Sequence, residues 1–412
     1  MTSRFGFTAI DKELVGDSRL ADPMGILPIW SYFGRALIPN LTEQTGQARG
    51  FYLLCSILSL YEKYVEWAEK KNNKIMPVEQ FYILVEQVFA YAVFYNTGDW
   101  NLRGDRNVKY FMKDNPNQIT ISLHKQLLGS QLATGTWGLY RGAAMRSEIL
   151  DASGKRLTEK FASLFSFELE REESLFQIIH EAHSNGVPGA ELKLNSRLCN
   201  EVYKKFRIGK NKELFCDFLI NNYQVKDFQL MKAVAEDLVN YEIEGNDYRK
   251  FVVRYSAKFK EHAYVFKDII KCEDFIGTID SIFPYLYSQK DKNLKEIASN
   301  LPLNIKDIQN AHKSFSEVSN IPPTSIVAGK RYSLFTGSFD ISTKEELIRW
   351  ILDLHEKIAR SKSGLPWLEL SGDRLAIRVD YFPSDKLKVV PGQGWRSPYY
   401  LDVLASIYKE IR

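Results

Sequence analysis

The hydrophobic residues of this chain recur mainly with a helical period. After Thr42, apolar residues spaced about 3.6 positions apart predict a long helix that ends in the polar stretch 70–74. The residues of this stripe are Leu54, Leu58, Tyr61, Val65 and Ala68. Residues 78–95 predict a second helix, and its mostly apolar circumference is typical of an element that others surround. Residues 96–116 have no period and contain Gly98 and Gly104, which predicts an irregular insertion.

The middle of the chain continues the helical pattern with one change. Residues 127–165 predict a helix, a glycine-containing turn, a short helix and a second turn, an order compatible with a winged-helix-like module. An ordinary helical hairpin explains the same pattern, and both interpretations stay open. Further helices are predicted over 170–184, 190–205, 211–222, 226–239 and 246–270. Residues 300–330 carry three prolines and are the best candidate for a linker.

The C-terminal part combines a helix with a hairpin. Ser342 and Glu345 predict a capping box in front of a helix whose apolar stripe is Leu347, Ile351, Leu354 and Ile358. Residues 367–370 and 375–379 predict two short strands across a turn, the only β-hairpin that the sequence indicates. A final helix over 399–411 is expected to pack against this hairpin.

The predicted fold class is therefore mainly α, multi-helical, with a winged-helix-like module as an option and a small C-terminal α+β unit with one β-hairpin. The predicted domains are an N-terminal helical domain over 1–125, the winged-helix-like segment over 126–168, a helical middle domain over 169–320 and the α+β unit over 321–412. A chain of this length is expected to form several packed units rather than one core.

Composition narrows the class of protein. Of the 412 residues, 45% are hydrophobic and 26% are charged, which is ordinary for a globular protein. The formal net charge of +4 is small for a protein built chiefly to coat nucleic acid, so an anionic partner must meet a local patch. The four cysteines have no metal-ligand spacing, no signal peptide is visible, and the most apolar stretches are shorter than the about 20 residues of a bilayer helix. We expect a cytoplasmic protein without a membrane segment.

Catalytic motifs are weak. His180 and His183 lie on one side of a predicted helix and could share a metal ion, but the spacing is not HExxH and no matching third ligand follows. A histidine at a helix end also interacts favourably with the helix dipole, which is the simpler explanation. Neither phosphate-binding glycine loop, GxxxxGK[ST] or GxGxxG, occurs in the sequence. We expect no metal and no cofactor.

A metal-dependent nuclease would need carboxylates and a lysine on neighbouring strands. The predicted hairpin offers Glu369, Asp373, Arg374, Arg378 and Asp380. Arginine does not act as a general base at neutral pH and the lysine is missing, so charges on a sheet edge explain these residues better.

The clearest electrostatic feature is the segment 249–260, which holds five basic residues and no acid. Lys250, Arg254 and Lys258 recur at one-turn spacing, and Phe251, Tyr255 and Phe259 form the adjacent aromatic stripe. A helix that buries these rings presents a positive ridge suited to phosphates or to an acidic subunit. A solvated helix face explains the same charges, and this alternative stays open.

A second basic cluster, Arg103, Arg106 and Lys109, lies in the predicted insertion beside Tyr110 and Phe111. A third surrounds Lys204 and Lys205. Aromatic rings next to cations could stack on bases, although such a ring is more often a core residue beside a surface one. We predict that Arg103, Arg106 and Lys109 extend the contact made by the ridge.

Three short segments carry a resemblance to a family. They are Asp22-Pro23-Met24-Gly25, the run Leu37-Ile38-Pro39-Asn40-Leu41-Thr42, and Arg49 with Tyr52. They resemble the opening of helical accessory proteins of bacterial anti-phage defence operons. Those proteins begin with Asp-Pro-Leu-Gly, and this chain has Met24 in place of the leucine. Two later segments, Leu157-Thr158 and Gly364-Leu365-Pro366-Trp367, fit the same resemblance. These motifs cover a small part of the chain. The resemblance implies an accessory subunit encoded beside an ATPase, a helicase or a nuclease.

Together these features favour a non-enzymatic accessory or assembly subunit of a bacterial multi-protein complex for antiviral defence. Its expected partners are protein subunits of the same operon and DNA. The alternative is a metal-dependent nuclease acting on DNA or RNA.

Overall fold

The computed structural model describes residues 22–113, 117–222, 228–241, 247–379, 390–392 and 394–412. The chain is mainly helical, as predicted, with two small antiparallel sheets in the described part. The helices are α1 Leu27–Leu37, α2 Ala48–Lys70, α3 Val78–Thr97, α4 Asp105–Lys113, α5 Gln131–Thr134, α6 Thr136–Arg146, α7 Glu159–Ala162, α8 Glu172–Ser184, α9 Arg197–Lys205, α10 Lys212–Leu219, α11 Phe228–Tyr241, α12 Asp247–Lys258, α13 Ala263–Cys272, α14 Thr278–Tyr287, α15 Leu294–Asn300, α16 Ile305–Ser316, α17 Val327–Phe335, α18 Lys344–Ser361 and α19 Leu401–Ile411. The strands are β1 Gln118–Ile121, β2 Ala190–Lys193, β3 Leu368–Ser371 and β4 Arg374–Ile377. Among the helices of these residues, none is long and apolar enough to cross a membrane.

The chain forms two compact units, and neither is continuous in sequence. The first unit comprises Met1–Leu37 and Glu242–Tyr399, and the second comprises Ile38–Tyr241 and Tyr400–Arg412. The predicted boundaries at 125, 168 and 320 do not coincide with this division, and the four-domain scheme stays a prediction.

The core of the second unit is built on α2 and α3, the two helices that the sequence predicts most clearly. Helix α3 is buried along most of its length and packs against α2, α4, α8 and α9. It ends at Gly98, which has a φ of 75° and donates its N–H to the carbonyl of Phe94. Glycine adopts this left-handed conformation without steric cost, and it stops the helix there.

Two polar residues lie inside the buried surface of α3. Glu86 accepts a 2.6 Å hydrogen bond from Gln131 and further hydrogen bonds from Thr136. Gln87 exchanges two hydrogen bonds with the backbone of Ser122, at 2.9 and 3.0 Å. Because buried polar groups are costly without partners, these bonds determine how α5, α6 and the end of β1 are placed on α3.

Two predictions within the second unit are wrong. The insertion 96–116 is not irregular throughout, since α4 forms over Asp105–Lys113 and buries Val108 and Met112. The predicted helix 190–205 is two elements, β2 and α9. Strand β2 pairs with β1, with Ile119 opposite Leu192, and so belongs to a sheet that no local pattern predicts.

The segment 127–168 contains α5, α6 and α7. Around the turn at 151–154, Leu150 and Leu157 form a single antiparallel bridge, and no strand is present within this fully described segment. A winged helix needs a β-hairpin as its wing, so this segment gives the winged-helix hypothesis no support. The final helix α19 packs on α10 and α11 of its own unit, rather than on the hairpin as predicted.

In the first unit, α1 packs on α13 and α17. The helix predicted over 246–270 is interrupted, because α12 ends at Lys258 and a 3-10 turn, Lys260–His262, precedes α13. The predicted linker 300–330 is not a linker: it holds α16, which buries Ile308 and Phe315, and the start of α17.

The C-terminal helix and hairpin agree with the sequence in type. The stripe of α18 is buried, and β3 and β4 pair across a turn in which Gly372 has a φ of 67°. The capping box lies one residue later than predicted, with Thr343 and Glu346 in place of Ser342 and Glu345. The serine hydroxyl instead donates to Glu346 at 2.9 Å.

His355 of α18 connects three separate parts of the first unit. Its Nε2 accepts the backbone N–H of Trp367 at 2.7 Å, and its Nδ1 lies 2.9 Å from the carbonyl oxygen of Pro23. A backbone N–H can only donate, so Nε2 carries no proton and Nδ1–H donates to Pro23. Burial is the main cause that lowers the pKa of His355 to about 4, with a smaller contribution from Lys362.

We expect His355 to make the first unit sensitive to acid. Since the imidazole pKa is 6.5 in the unfolded chain and about 4 when folded, the unfolded state binds more protons between these values. The stability contribution is complete above pH 6.5 and is lost as the pH falls towards 4, by about 3 kcal/mol. His355→Gln should be less stable than the parent at pH 7.5, with a smaller difference at pH 4.5.

Urea unfolding, or hydrogen exchange of peptides from α18 and the hairpin, measures this difference. The matched control is His124→Gln, because His124 is exposed. If the stability difference between His355→Gln and the parent were the same at pH 7.5 and pH 4.5, the low pKa assigned to His355 would be contradicted.

Candidate functional site

The predicted ridge lies on α12. Lys250, Arg254 and Lys258, which we call the cationic face of α12, are all exposed. On the other side of the helix, Phe251 and Tyr255 are buried, with ring centroids 4.3 Å apart, and α12 packs against α13. The aromatic residues therefore anchor the helix, and the three cations lie on its exposed side.

Two basic residues of α12 have close neighbours in the first unit. The ammonium of Lys258 lies 5.3 Å from the ring centre of Tyr255 and 5.5 Å from that of Phe259, within the range of cation–π attraction. Arg249 points elsewhere and binds Asp274 at 2.5 Å, which raises the pKa of its guanidinium. Of the five basic residues of this run, Arg249 pairs with a carboxylate of its own unit, Lys250, Arg254 and Lys258 form the cationic face, and Lys260 begins the following 3-10 turn.

The second predicted cluster lies in the second unit, at and before α4. Arg103, Arg106 and Lys109 are exposed. Arg103 donates to Gln44, and Lys109 forms ion pairs with Asp105 at 2.7 Å and Asp99 at 4.0 Å. These two carboxylates offset the charge of Lys109, so this cluster is less positive than its sequence indicates. Its role in extending the contact of α12 stays a prediction.

The histidine pair of α8 has protein partners. His180 Nδ1 lies 3.5 Å from the Tyr64 hydroxyl, and its ring meets Trp67 edge to face. Burial lowers the pKa of His183, and the neighbouring His180 adds to this effect. Within the described ranges, no three or more His, Cys, Asp or Glu side chains are grouped so that they could hold a metal ion.

The hairpin carboxylates are engaged by neighbouring side chains. Glu369 forms an ion pair with Arg378, and Asp373 accepts a hydrogen bond from Asn293. Asp380, the remaining carboxylate of the nuclease hypothesis, lies outside the described residues. Cys55, Cys199 and Cys272 are buried with raised pKa values caused mainly by desolvation, so these thiols are poor nucleophiles.

Sequence reasoning misses one polar cluster in the first unit. Glu273 begins a π-helical turn, Glu273–Gly277, and is only 4% exposed. One carboxylate oxygen accepts the Tyr399 hydroxyl at 2.9 Å, and the other accepts the backbone N–H of Arg396. Arg396 in turn donates twice to Asp280, at 2.9 and 2.7 Å.

Burial raises the pKa of Glu273 to about 7, although the hydrogen bonds from Arg396 and Tyr399 oppose this shift. A carboxyl group with such a pKa can exchange a proton near neutral pH. Both of its oxygens are occupied by protein donors, however, so the cluster clamps residues 396–399 onto the π-helical turn. The only signal in the sequence is an acid inside an apolar helical run, and its partners lie more than a hundred positions later.

Comparison with known proteins adds no family to these observations. The chain matches no protein-family model, no curated protein and no solved structure.

Glu273 should give the first unit a second pH dependence, of opposite sign to that of His355. The unfolded carboxyl ionises near 4.5 and the folded one near 7, so the folded state binds more protons between these values. The resulting stability falls by about 3 kcal/mol as the pH rises through this window. Glu273→Gln keeps the shape without the charge, and its stability relative to the parent should therefore increase from pH 5 to pH 8.

Chemical unfolding at both pH values checks this, with the exposed Glu261→Gln as the control. If the stability of Glu273→Gln relative to the parent changed between pH 5 and pH 8 as that of Glu261→Gln does, Glu273 would be an ordinary solvated carboxylate.

Proposed function

We propose that the chain is a non-enzymatic accessory or assembly subunit that contacts a polyanion, nucleic acid or an acidic protein surface, through the cationic face of α12. The observation that carries this proposal is the separation of the helix into a buried aromatic side and an exposed side with Lys250, Arg254 and Lys258 at one-turn spacing.

The geometry suits a phosphate backbone. Side chains four positions apart on a helix are neighbours, so the three cations form one row along α12. Duplex DNA carries one charge per about 1.7 Å of its axis, and each neutralised phosphate releases condensed counterions. The formal net charge of +4 for 412 residues supports the view that such contact depends on a local patch and not on the whole chain.

The resemblance of the opening motif to accessory proteins of anti-phage defence operons supports a bacterial complex whose other subunits are an ATPase, a helicase or a nuclease. The nuclease alternative for this chain is less well supported. Glu369 and Asp373 are engaged by Arg378 and Asn293, and the described residues hold no cluster suited to a metal ion.

Reversing the charges of the cationic face tests the proposal. The triple variant Lys250→Glu, Arg254→Glu, Lys258→Glu leaves Phe251, Tyr255 and Phe259 in place, so the helix is expected to stay folded. Its affinity for a labelled DNA duplex should fall, and the steepness of log Kd against log salt should decrease by about 0.9 for each phosphate that the variant no longer neutralises. Fluorescence anisotropy at several salt concentrations measures both quantities.

The matched control applies the same charge change elsewhere. Lys70, Lys71 and Lys74 are exposed residues of the second unit, and their triple reversal to glutamate changes the net charge equally. The α12 variant, if folded, is compared with this control for binding to duplex DNA, to single-stranded nucleic acid and to the co-purifying partner. Equal affinity of the two variants in all three assays would show that the cationic face is only solvated.

The same preparations distinguish the alternative function. Incubation of the parent with Mg²⁺ or Mn²⁺ and labelled DNA or RNA should leave the nucleic acid intact. Metal-dependent cleavage that is abolished by His180→Ala or Asp380→Ala would instead favour the nuclease.

A further inference from the structure

The first unit contains a cavity of about 570 Å³ that is lined by α1, the N-terminal half of α17 and residues that flank these helices. This size lies within the range of roughly 300–1,000 Å³ that is usual for small-molecule sites. Asp22 and Gly25, both from the opening motif of the sequence, line it together with Arg35, Arg331 and Lys362. The function proposed for α12 uses none of these residues.

The local backbone explains why a glycine belongs here. Gly25 has a φ of 63°, and a Cβ atom at this position would lie 3.0 Å from Ile358 Cγ2 and 3.2 Å from Arg331 Nε. Because glycine has no Cβ, the Arg331 side chain can pass close to the backbone of residue 25. The motif therefore shapes the wall of the cavity and the path of one of its cations.

The carboxylate of Asp22 is committed to the fold. It accepts the backbone N–H groups of Ile26 at 2.8 Å and Leu27 at 3.3 Å, and so caps the start of α1. Lys362 Nζ donates to the backbone oxygen of Asp22 at 2.7 Å and lies 3.8 Å from its carboxylate. Arg331 donates to the Ser361 hydroxyl at 2.9 Å.

The cations of the lining outnumber the acid. Among the described residues of the lining, three are cationic, Arg35, Arg331 and Lys362, and one is acidic, Asp22. Burial lowers the pKa of Lys362 and of Arg331, which indicates that both charged forms are partly stripped of water. An anion in the cavity would relieve this cost.

Apart from Ser31, the rest of the described lining is apolar or aromatic. Leu27, Ile326 and Val327 line the cavity and are 37%, 43% and 58% exposed. The ring of Tyr32 lines it as well, and its hydroxyl donates to Asn320 at 2.9 Å. The first turn of α17 has no side-chain cap, so its backbone end adds a partial positive charge.

We propose that this cavity binds a phosphate monoester that carries an apolar or aromatic body. A phosphate monoester carries about −1.5 to −2 charges at pH 7, so it gains more from a lining with several cations than a carboxylate with a single charge does. The guanidinium groups of Arg35 and Arg331 suit phosphate oxygens because their donors form a planar fork. The apolar side chains and Tyr32 would cover the body of the ligand.

Calorimetric titration of the full chain with 1-naphthyl phosphate tests the proposal. We expect binding to this probe, at least tenfold weaker binding to 1-naphthoate, and no binding to 1-naphthol. Affinity should also decrease from pH 7.5 to pH 5.5, since the second pKa of a phosphate ester is about 6 and the dianion is lost.

Arg35→Gln and Arg331→Gln should each weaken 1-naphthyl phosphate binding by tenfold or more. Arg35 is exposed, so its replacement is not expected to disturb folding even if Arg331→Gln does. Lys330→Gln is the matched control, because this exposed cation lies on the same helix as Arg331 and does not line the cavity.

The triple α12 variant should bind 1-naphthyl phosphate like the parent, which separates this site from the proposed polyanion surface. The proposal is overturned if the parent does not bind the probe, if 1-naphthol binds equally well, or if Arg35→Gln binds as tightly as Lys330→Gln.

Discussion

The arrangement of the first unit depends on two hydrogen bonds made by the neutral imidazole of His355. It lies on α18, accepts a hydrogen bond from the start of the hairpin at Trp367, and donates its own proton to Pro23. Trp367 and Pro23 are far from each other in sequence, and a neutral imidazole with one donor and one acceptor satisfies both backbone groups. Because Pro23 follows Asp22, the same ring also determines where the capping carboxylate of α1 lies.

This constraint explains why the opening motif contributes to a site. Asp22 caps α1, the carbonyl of Pro23 accepts from His355, Met24 is buried, and Gly25 leaves room for Arg331. Asp22 and Gly25 line the cavity, while Pro23 and Met24 hold the motif in the first unit through a hydrogen bond and through burial. A short motif of this kind carries information about tertiary contacts and cannot be interpreted from the neighbouring residues alone.

The elements that the sequence predicts are those whose stability is local. Helices α2, α3 and α18 and the hairpin of β3 and β4 follow from apolar periodicity, a turn glycine and a capping pair within one segment. Strand β2 is predicted as helix because its partner β1 lies about seventy positions earlier, although Ala190 and Leu192 alternate with exposed residues. Helix α4 escapes prediction because its stripe consists of only Val108 and Met112.

The candidate sites divide in the same way. The cationic face of α12 can be predicted because its three cations belong to one helix. The cavity near α1 collects residues from three segments, and Glu273 meets partners around residue 396, so neither leaves a periodic signal. The sequence overestimates the charge near Lys109 for the related reason that Asp99 and Asp105 act on it only in the folded chain.

The two buried titratable groups of the first unit act in opposite directions. Between about pH 4.5 and 6.5, the proton uptake that His355 makes only when unfolded costs stability as the pH falls, while protonation of folded Glu273 regains it. The two linkages have opposite signs, so they partly offset each other in this window. The His355 imidazole must stay neutral for its Nε2 to accept the N–H of Trp367. The Glu273 carboxyl accepts the Tyr399 hydroxyl and, with a pKa of about 7, can gain or lose a proton near neutral pH.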